Sequence, residues 1–545
     1  MCYIVANMYM QTVRNRRGDK TYTYHLLVEG YREGGKVRHR TLANLSRLDE
    51  ATIECIRQSL KGKKPVTVDD LEAGSGRGYG ALYTICRIAQ DLGIKEALGE
   101  GKKARLTLLM AAARIVIQGS KLACSRWAGG QATGEVLGIE PPSEDELYSA
   151  MDWALKNQVR IEDEIFARRQ KGGRREGKPT LFLYDVTSSY LEGECNELAA
   201  YGYNRDKKKG KKQVVVGLLA DSEGFPASCQ VFPGNTQDMV TLSPQIGKVA
   251  RRFSAGKVVL VGDKGMIKST SLREIKRHGF FYITSITKPE IEALAQAGII
   301  QLSLFDAELC EVEEGGVRYI LRRNPQRAEE AKANRRERLD KALLKLSEEA
   351  KSLASSERKN PHKAYDRMVI LLGKLRLSKL VQLSLKGREL SFCVDEEALS
   401  RAEALDGCYC IKTDLPKRDM SAGRIHDRYK DLALVEQAFR DLKTGLLEIR
   451  PINHRRGNRT RAHALICMLA LMITQEMRRR MKDHDIPLEH AIRSLDRLQV
   501  VPLTCGDYSF ELLARPDPEQ MEILNVLGLS LPSILEEARV AKKVG

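Results

Sequence analysis

Five apolar, β-prone segments between residues 181 and 287 constrain the fold more than any other feature of this sequence. The first three follow one another closely, and Asp221-Ser-Glu-Gly224 after the second is typical of a hairpin turn. The last two are each preceded by helical periodicity, which favours parallel strands connected through helices. The pattern therefore predicts an α/β fold with a mixed sheet and flanking helices. The segments are LFLYDVTSSYL, QVVVGLLADSEG, FPASCQVFPG, KVVLVGD and FYITSIT.

Two aspartates lie where these strands would carry chemistry. Asp185 follows the apolar run Leu181-Phe-Leu-Tyr184, and a buried ionised carboxylate is costly unless it is paired or bound to a metal. Asp263 ends the fourth segment, at the carboxyl end of a strand, where open α/β sheets place their sites. If the two strands are neighbours, both carboxylates can face one place. A turn or helix-capping role explains either aspartate alone equally well.

A third carboxylate, Glu436, lies on a helix predicted for residues 432–445. Arg440 and Lys443 share its face at i+4 and i+7, where they could hold phosphates, although an exposed row of salt bridges is the commoner explanation for such a helix. Oxygen ligands suit Mg²⁺, and two such ions can activate an attacking oxygen and stabilise a leaving oxygen. The three carboxylates therefore predict a site with two Mg²⁺ ions, for which Mn²⁺ could substitute.

The charge balance favours a polyanionic partner. Lys and Arg number 90 against 72 Asp and Glu, a net charge of +18, which attracts nucleic acid, although an ordinary basic enzyme is also consistent with it. Two clusters could follow a DNA backbone, and the first is equally consistent with a solvated loop. They are the lysines Lys207, Lys208 and Lys211 between the first two strands, and the arginines Arg455, Arg456, Arg459 and Arg461 after the Glu436 helix.

The rest of the chain predicts several further units. Residues 20–45 indicate a hairpin, residues 82–170 helices that bind DNA or are purely structural, and residues 172–178 a glycine-rich linker. The longest helical apolar run has ten residues, and a membrane span needs about 20, so we expect no membrane partner. Scattered cysteines fit a reducing cytoplasm. The expected domains are an N-terminal β unit (1–60), a helical, DNA-binding domain (61–170), a first segment of the catalytic core (171–289), an insertion domain (290–414), a second segment of the catalytic core (415–480) and a C-terminal helical region (481–545).

Several motifs in order resemble the DDE transposases of bacterial insertion sequences, in the branch with a Tyr-Arg-Glu-Lys signature and a β-rich insertion before the glutamate. The signature places Tyr429, Glu436 and Lys443 in register, but Leu432 stands where the arginine would be, and Arg428 or Arg440 could substitute for it. The carboxylates are 78 (263 − 185) and 173 (436 − 263) residues apart, which leaves room for the insertion. The other motifs are Tyr184-Asp-Val-Thr187, Gly234-Asn-Thr-Gln-Asp238 and Val261-Gly-Asp-Lys-Gly265.

The resemblance implies a ribonuclease-H-like core, with which the strand pattern agrees, and a bacterial enzyme associated with the nucleoid. Such an enzyme binds the inverted repeats at the ends of its element, pairs them as a homodimer, and cuts and joins double-stranded DNA, including target DNA, in a cut-and-paste reaction. Tyr429 and Lys443 would contact terminal phosphates or a displaced base. A metal-dependent nuclease of the same fold and a non-catalytic DNA-binding descendant are the alternatives. A strand-joining assay separates the transposase from the nuclease, and the non-catalytic descendant would have no chemical need for the three carboxylates.

Overall fold

The chain forms two compact units, which are described here from a computed structural model covering residues 7–62, 71–171, 180–253, 257–306, 308–444, 447–505 and 508–532. The first unit comprises Met1–Arg77, Leu498–Arg515 and Leu531–Gly545, and the second comprises Gly78–Arg497 and Pro516–Ser530. The linker predicted at 172–178 lies outside the described residues. Over the described ranges, no single helix has the length and apolarity of a membrane span; α-helices Lys102–Val116 and Lys121–Gly129 meet that criterion only as a pair bent by 95°.

The first unit contains an antiparallel three-stranded sheet of β1 (Asn7–Arg17), β2 (Lys20–Glu33) and β3 (Lys36–Asn44). Gly34 and Gly35 form the turn between β2 and β3 with positive φ, which confirms the predicted hairpin. The pattern did not reveal β1. The remaining elements of this unit are α1 (Glu50–Leu60), β4 (Leu71–Ala73), β16 (Gln499–Cys505) and β17 (Tyr508–Leu513). The last two form an antiparallel hairpin. The sequence had suggested a helical region at 481–545, and this hairpin shows that the region is not wholly helical.

Helices dominate the beginning and the end of the second unit. The short strand β5 (Arg77–Gly78) lies where the chain passes from the first unit to the second. The long helix near the end contains a run of buried apolar residues from Ala464 to Ile473, and it packs against two of the early helices, 102–116 and 144–156. The helices are α2 (Gly80–Asp91), α3 (Ile94–Leu98), α4 (Lys102–Val116), α5 (Lys121–Gly129), α6 (Thr133–Leu137), α7 (Glu144–Lys156), α8 (Gln158–Lys171), α17 (Gly457–Arg480), α18 (Leu488–Asp496) and α19 (Pro518–Val526).

An eight-stranded mixed sheet forms the centre of the second unit. The five predicted strands are present and occupy the order β10-β9-β6-β7-β8, with β6, β9 and β10 parallel and β7 and β8 antiparallel as a hairpin. The two helices expected before the last two strands are also present. These elements are β6 (Thr180–Tyr190), β7 (Gln213–Asp221), β8 (Pro226–Pro233), α9 (Asp238–Lys248), β9 (Val258–Gly262), α10 (Ser269–Arg277) and β10 (Phe281–Ser285).

Residues 290–414, predicted as an insertion domain, contribute both to this sheet and to a separate helical cluster. Three of their strands extend the sheet beyond β10 in the order β15-β12-β11, all antiparallel. Within them, residues 322–358 are highly charged, a composition that predicts a solvated helix or helix pair, and the structure shows mostly one helix of 31 residues. The elements are α11 (Lys288–Gln296), β11 (Cys310–Glu314), β12 (Val317–Arg323), α12 (Pro325–Ser355), α13 (Pro361–Lys374), β13 (Val381–Lys386), β14 (Glu389–Val394), α14 (Glu396–Ala404) and β15 (Cys408–Thr413).

Two further helices return the chain to the central sheet: α15 (Ala422–Lys430) and α16 (Leu432–Lys443). On one face of the sheet, Phe182 and Tyr184 of β6 pack in an apolar core with side chains of α8, α9 and α10. Because side chains alternate along a strand, Asp185 belongs to the opposite face. That face of β6 is where α16 packs.

Candidate active site

Asp185 is a half-buried carboxylate within the apolar strand β6. Its pKa is raised to about 7, chiefly by burial and to a smaller extent by the nearby carboxylates of Glu436 and Asp263, while a hydrogen bond from the Val186 backbone N–H and the Arg205 guanidinium oppose the shift. The Asp185 carboxylate therefore lies where burial and two neighbouring carboxylates disfavour its ionised form.

Asp263 lies beside Asp185 because β6 and β9 are adjacent parallel strands. The register pairs Tyr184 with Gly262, so each aspartate is the next residue along its strand. This fulfils the condition on which the sequence-based expectation depended. Asp263 is exposed, and its Oδ1 accepts a hydrogen bond of 2.7 Å from the Lys264 backbone N–H.

Glu436 reaches the same place from α16, whose apolar side buries Val435, Ala438, Phe439 and Leu442. The opposite side of the helix leaves Glu436 and Arg440 exposed, as the 3.6-residue period requires. Asp185, Asp263 and Glu436 line one cavity of about 400 Å³, together with Leu432, Arg440 and Lys443. Carboxylates from three separate regions of the sequence therefore surround a single space.

Lys443 is partnered inside this site, by a residue that the sequence did not single out as functional. Its Nζ donates to Asp206 Oδ1 at 2.7 Å, and Arg450 donates to the same oxygen at 2.5 Å. The Asp206 side chain is only 1% exposed and also accepts the Tyr190 backbone N–H.

Asp238 has a different role from the one its position suggested. An aspartate just before a helix most simply caps its free backbone amides, but Asp238 is the first residue of α9, and the structure gives the cap position no side-chain hydrogen bond. Both Asp238 oxygens instead accept from Arg205 at 2.6 Å, and both residues line the cavity. Arg205 and Arg450, which sequence reasoning missed, thus bring two further cations to the site.

Tyr429 and Arg428 lie close to the site in sequence but do not line this cavity. The Tyr429 hydroxyl donates to Ser285 Oγ at 2.7 Å, and burial raises its pKa to about 12, with Asp263 and Glu436 adding to the shift. Arg428 forms an ion pair with Asp431 at 3.0 Å. Of the two arginines that could replace the missing signature arginine, only Arg440 faces the cavity.

The other predicted DNA contacts lie on exposed surfaces outside the cavity. Lys207 and Lys208 are exposed in the loop between β6 and β7, and Lys211 in the same loop is paired with Glu192 at 2.7 Å. Arg455 and Arg456 are exposed just before α17. These residues remain predicted DNA contacts.

The donor chemistry around the cavity suits a hard divalent cation. Three carboxylates offer only oxygen, and burial, with a smaller contribution from the other two carboxylates, raises the pKa of Asp185, a condition that a bound cation would relieve. Within the ranges that the structure describes, however, no three His, Cys, Asp or Glu side chains are arranged closely enough to hold a metal ion. The exposed side chains of Asp263 and Glu436 would have to rotate to close around one.

Two family models match the chain. The model of the N-terminal domain of IS1634 family transposases matches residues 10–68, and that of the transposase DDE domain matches residues 176–473. Among curated proteins none matches. A solved structure that aligns with the chain is the cryo-EM structure of the piggyBac transposase synaptic complex with hairpin DNA, at 9% identity and a TM-score of 0.33, covering 72% of this chain and 79% of that one. Because the DDE model spans more than half of the 545 residues, the chain belongs to the DDE transposases of bacterial insertion sequences.

Proposed function

We propose that this transposase binds the terminal inverted repeats of its element and performs metal-dependent strand cleavage and strand transfer of the cut-and-paste type. The observation that carries the proposal is the presence of Asp185, Asp263 and Glu436 around one cavity. The strands β6 to β10, a hairpin-linked antiparallel set followed by parallel strands joined through helices, support a ribonuclease-H-like core. A homodimer on paired ends and transfer into target DNA belong to the same proposal.

Asp185, Asp263 and Glu436 would hold the divalent ions, Mg²⁺ or Mn²⁺ in its place. When bound, two such ions activate the attacking oxygen and stabilise the leaving oxygen of an in-line displacement at phosphorus. The three side chains would position the metal ions rather than attack phosphorus themselves, which fits their placement on a strand, a strand end and a helix. Rigid elements hold such side chains more accurately than loops do.

The cations of the cavity would bind the scissile phosphate and its neighbours. Arg440 faces the cavity, and among the described residues none pairs with its guanidinium. Lys443 and Arg450 are held on Asp206, and Arg205 is held on Asp238, so each is oriented before DNA arrives. Guanidinium groups bind phosphate through two parallel hydrogen bonds, which gives direction as well as charge.

A cleavage and strand-transfer assay tests the proposal. Its substrate is duplex DNA carrying the ends of the element that contains the gene, incubated with the full chain and Mg²⁺. Asp185→Ala, Asp263→Ala and Glu436→Ala should each abolish both steps while binding to the ends persists. Gln437→Ala, the next residue on α16 and outside the cavity, is the matched control and should act as wild type.

The outcomes separate the alternative functions. Cleavage without joining by the wild type indicates a nuclease, and binding without cleavage indicates a non-catalytic DNA-binding protein. If Glu436→Ala transfers strands as well as the wild type does, Glu436 is not the third ligand.

A further inference from the structure

A cavity of about 380 Å³ lies along the outer edge of the central sheet, and we call it the edge cavity. Its walls come from β8, the first half of α8, the end of α9 and the second turn of α17. Among the described strands, β8 is the outermost of the sheet on this side. The residues that line the edge cavity are all different from those that line the active-site cavity, so the two are separate spaces.

The acidic side chain in the wall of the edge cavity is Glu162, and its charge is already used within the protein. One of its oxygens accepts hydrogen bonds from Gln158 Nε2 at 2.7 Å and from the Cys229 backbone N–H at 3.2 Å. The other accepts from Ser228 Oγ at 2.8 Å and from Arg252 Nη2 at 2.9 Å. Four donors therefore satisfy this carboxylate, and Arg252 is the cation that pairs with it.

Two other cations in the wall form no ion pair with any described residue. Lys248, the last residue of α9, is partly buried, and its Nζ donates to Ser228 Oγ at 2.7 Å. Arg461 of α17 is also partly buried, and it donates to Asn458 Oδ1 at 3.1 Å. Each of these contacts is with a neutral oxygen and uses one N–H group. Both side chains therefore keep further N–H donors and an unpaired positive charge.

Burial makes the charge of Lys248 costly in the absence of a partner. It lowers the pKa of that ammonium, an effect that the more distant Glu162 carboxylate opposes and Arg252 reinforces. An anion between Lys248 and Arg461 would compensate both charges and accept from their remaining N–H groups. Ammonium and guanidinium groups are the usual protein donors to phosphate oxygens, so a phosphate group suits this pair.

The register of the sheet places the edge cavity near the three carboxylates. Asp185 pairs with Leu218 of β7, which pairs with Cys229 of β8 in the wall of the edge cavity. Neighbouring strands are about 4.8 Å apart, so the backbones of Asp185 and Cys229 are separated by about 10 Å. Roughly three nucleotides of one DNA strand cover that distance, at about 3.4 Å per nucleotide. DNA at the carboxylates therefore has a backbone phosphate within reach of this edge.

We propose that Lys248 and Arg461 bind one phosphate group in the edge cavity. Two sources share this chemistry: a backbone phosphate of the DNA end, and free phosphate. The first source rests on the proposed function, whereas the second does not. Arg461 belongs to the arginine cluster that the sequence suggested for DNA, while Lys248 lies 213 (461 − 248) residues earlier and had no such signal.

Replacing single phosphates of the DNA tests the first source. The full chain is titrated, without divalent metal, with duplexes that carry the end of the element and an uncharged methylphosphonate at one backbone position at a time. We expect one position at which the replacement weakens binding to the wild type about tenfold. The same replacement should change binding to Lys248→Gln and to Arg461→Gln by less than about twofold, because each has already lost the contact.

Two further variants show whether the charge in the cavity is responsible. Arg251→Gln is the matched control, since Arg251 is exposed and lies three residues after Lys248 but outside the edge cavity. It should keep the wild-type sensitivity at every position. Lys248→Arg retains the positive charge and should keep that sensitivity too. Because Lys248 and Arg461 lie on separate helices, a folding defect in one variant leaves the other as a test.

Titration of the full chain with inorganic phosphate tests the second source. Calorimetry is carried out in chloride buffer at constant ionic strength, with no DNA present. If the source is free phosphate, we expect saturable binding of one phosphate by the wild type and by Arg251→Gln. Lys248→Gln and Arg461→Gln should each bind at least about tenfold more weakly.

The outcomes separate the two sources and the proposed function. A backbone position to which both Lys248→Gln and Arg461→Gln become insensitive identifies the DNA phosphate, and saturable phosphate binding lost in both variants identifies the free anion. The proposal is overturned if both variants respond to every replacement as the wild type does and phosphate binding is absent or unchanged. If the wild type does not bind the DNA ends, the proposed function fails and the phosphate titration alone decides this proposal.

Discussion

At the scale of single residues, the departure of the site from the family signature is concentrated at Leu432. This apolar side chain lines the cavity where the signature has an arginine, yet the cavity does not lack positive charge. Arg440, Arg205 and Arg450 reach it from a helix, a loop and the segment before α17. We infer that arginines from other positions bind the phosphate that the signature arginine would hold.

Arg440→Ala should lower the rate of end cleavage at least tenfold, because a charge-assisted hydrogen bond contributes about 1.5–3 kcal/mol. Arg428→Ala is the matched control, since Arg428 is paired with Asp431 and lies outside the cavity. Its cleavage rate should stay within about twofold of the wild type, a range that corresponds to less than 1 kcal/mol. Single-turnover cleavage measures both rates. If the rate falls by a similar factor in both variants, lining the cavity does not distinguish the arginine that replaces the signature arginine.

Asp206→Asn should lower the free energy of unfolding by about 3 kcal/mol, because the loss of one partner leaves buried cations without compensation. Lys443 and Arg450 both depend on this carboxylate. Glu192→Gln, which removes the exposed partner of Lys211 in the same loop, should cost less than about 1 kcal/mol. The urea midpoint of unfolding measures the stability of both variants. Equal shifts of the midpoint would contradict a special role for the buried Asp206 carboxylate.

At the scale of elements, α12 illustrates how a highly charged segment is still held by an apolar stripe. Its buried residues recur at intervals of three, four and seven, and Arg335 at the start of the stripe is neutralised by Asp406 at 2.5 Å. The stripe packs on α13 and β14. The composition of this helix predicts a solvated element, whereas its periodicity marks one face for packing.

Leu346→Ala should destabilise the helical cluster by about 2–5 kcal/mol, the usual cost of a cavity left by a fully buried leucine. Leu344→Ala is the matched control, because Leu344 lies on the same helix and is 63% exposed, and its effect should stay within about 0.5 kcal/mol. Hydrogen exchange of the α12 amides reports the cluster separately from the rest of the chain. Equal protection in the two variants would mean that the stripe does not hold the helix.

The strands β6 to β10 could be predicted because alternating and fully apolar runs bounded by turns are local signals. The sequence could place Asp185 beside Asp263 only on the condition that β6 and β9 are neighbours, which the structure shows. The addition of β11, β12 and β15 to the same sheet could not be predicted, because strand pairing between distant segments leaves no local pattern. For the same reason Asp206 escaped notice as a site residue, since its partner Arg450 lies 244 residues away.

At the scale of the whole molecule, the buried His463 and the partly buried His454 should make the fold sensitive to acid. Burial lowers the pKa of His454 to about 4, with Lys121, Arg114 and Arg459 adding to the shift, and it lowers the pKa of His463 well below its usual value. The two rings lie 5.1 Å apart. Between the unfolded pKa of about 6.5 and the folded value, the unfolded chain binds more protons than the folded chain does.

Stability should therefore fall as the pH is lowered from about 6.5 to about 4, with His454 alone contributing on the order of 3 kcal/mol over that window. Urea unfolding at pH 7 and pH 5 measures the decrease. His454→Asn should show a smaller difference between the two pH values than the wild type. An unchanged difference would assign the acid sensitivity to other groups.

The positions of the three carboxylates along the chain also determine when, during synthesis, the enzyme acquires all the residues that it would need to cut DNA. Glu436 follows Asp263 by 173 residues, which a ribosome takes roughly 10–35 s to add at about 5–20 residues per second. During that interval the growing chain carries both aspartates but none of α16, neither the third carboxylate nor Arg440. If all three carboxylates are needed, as proposed, a product abandoned before α16 cannot cut the genome that encodes it, so incomplete translation is harmless.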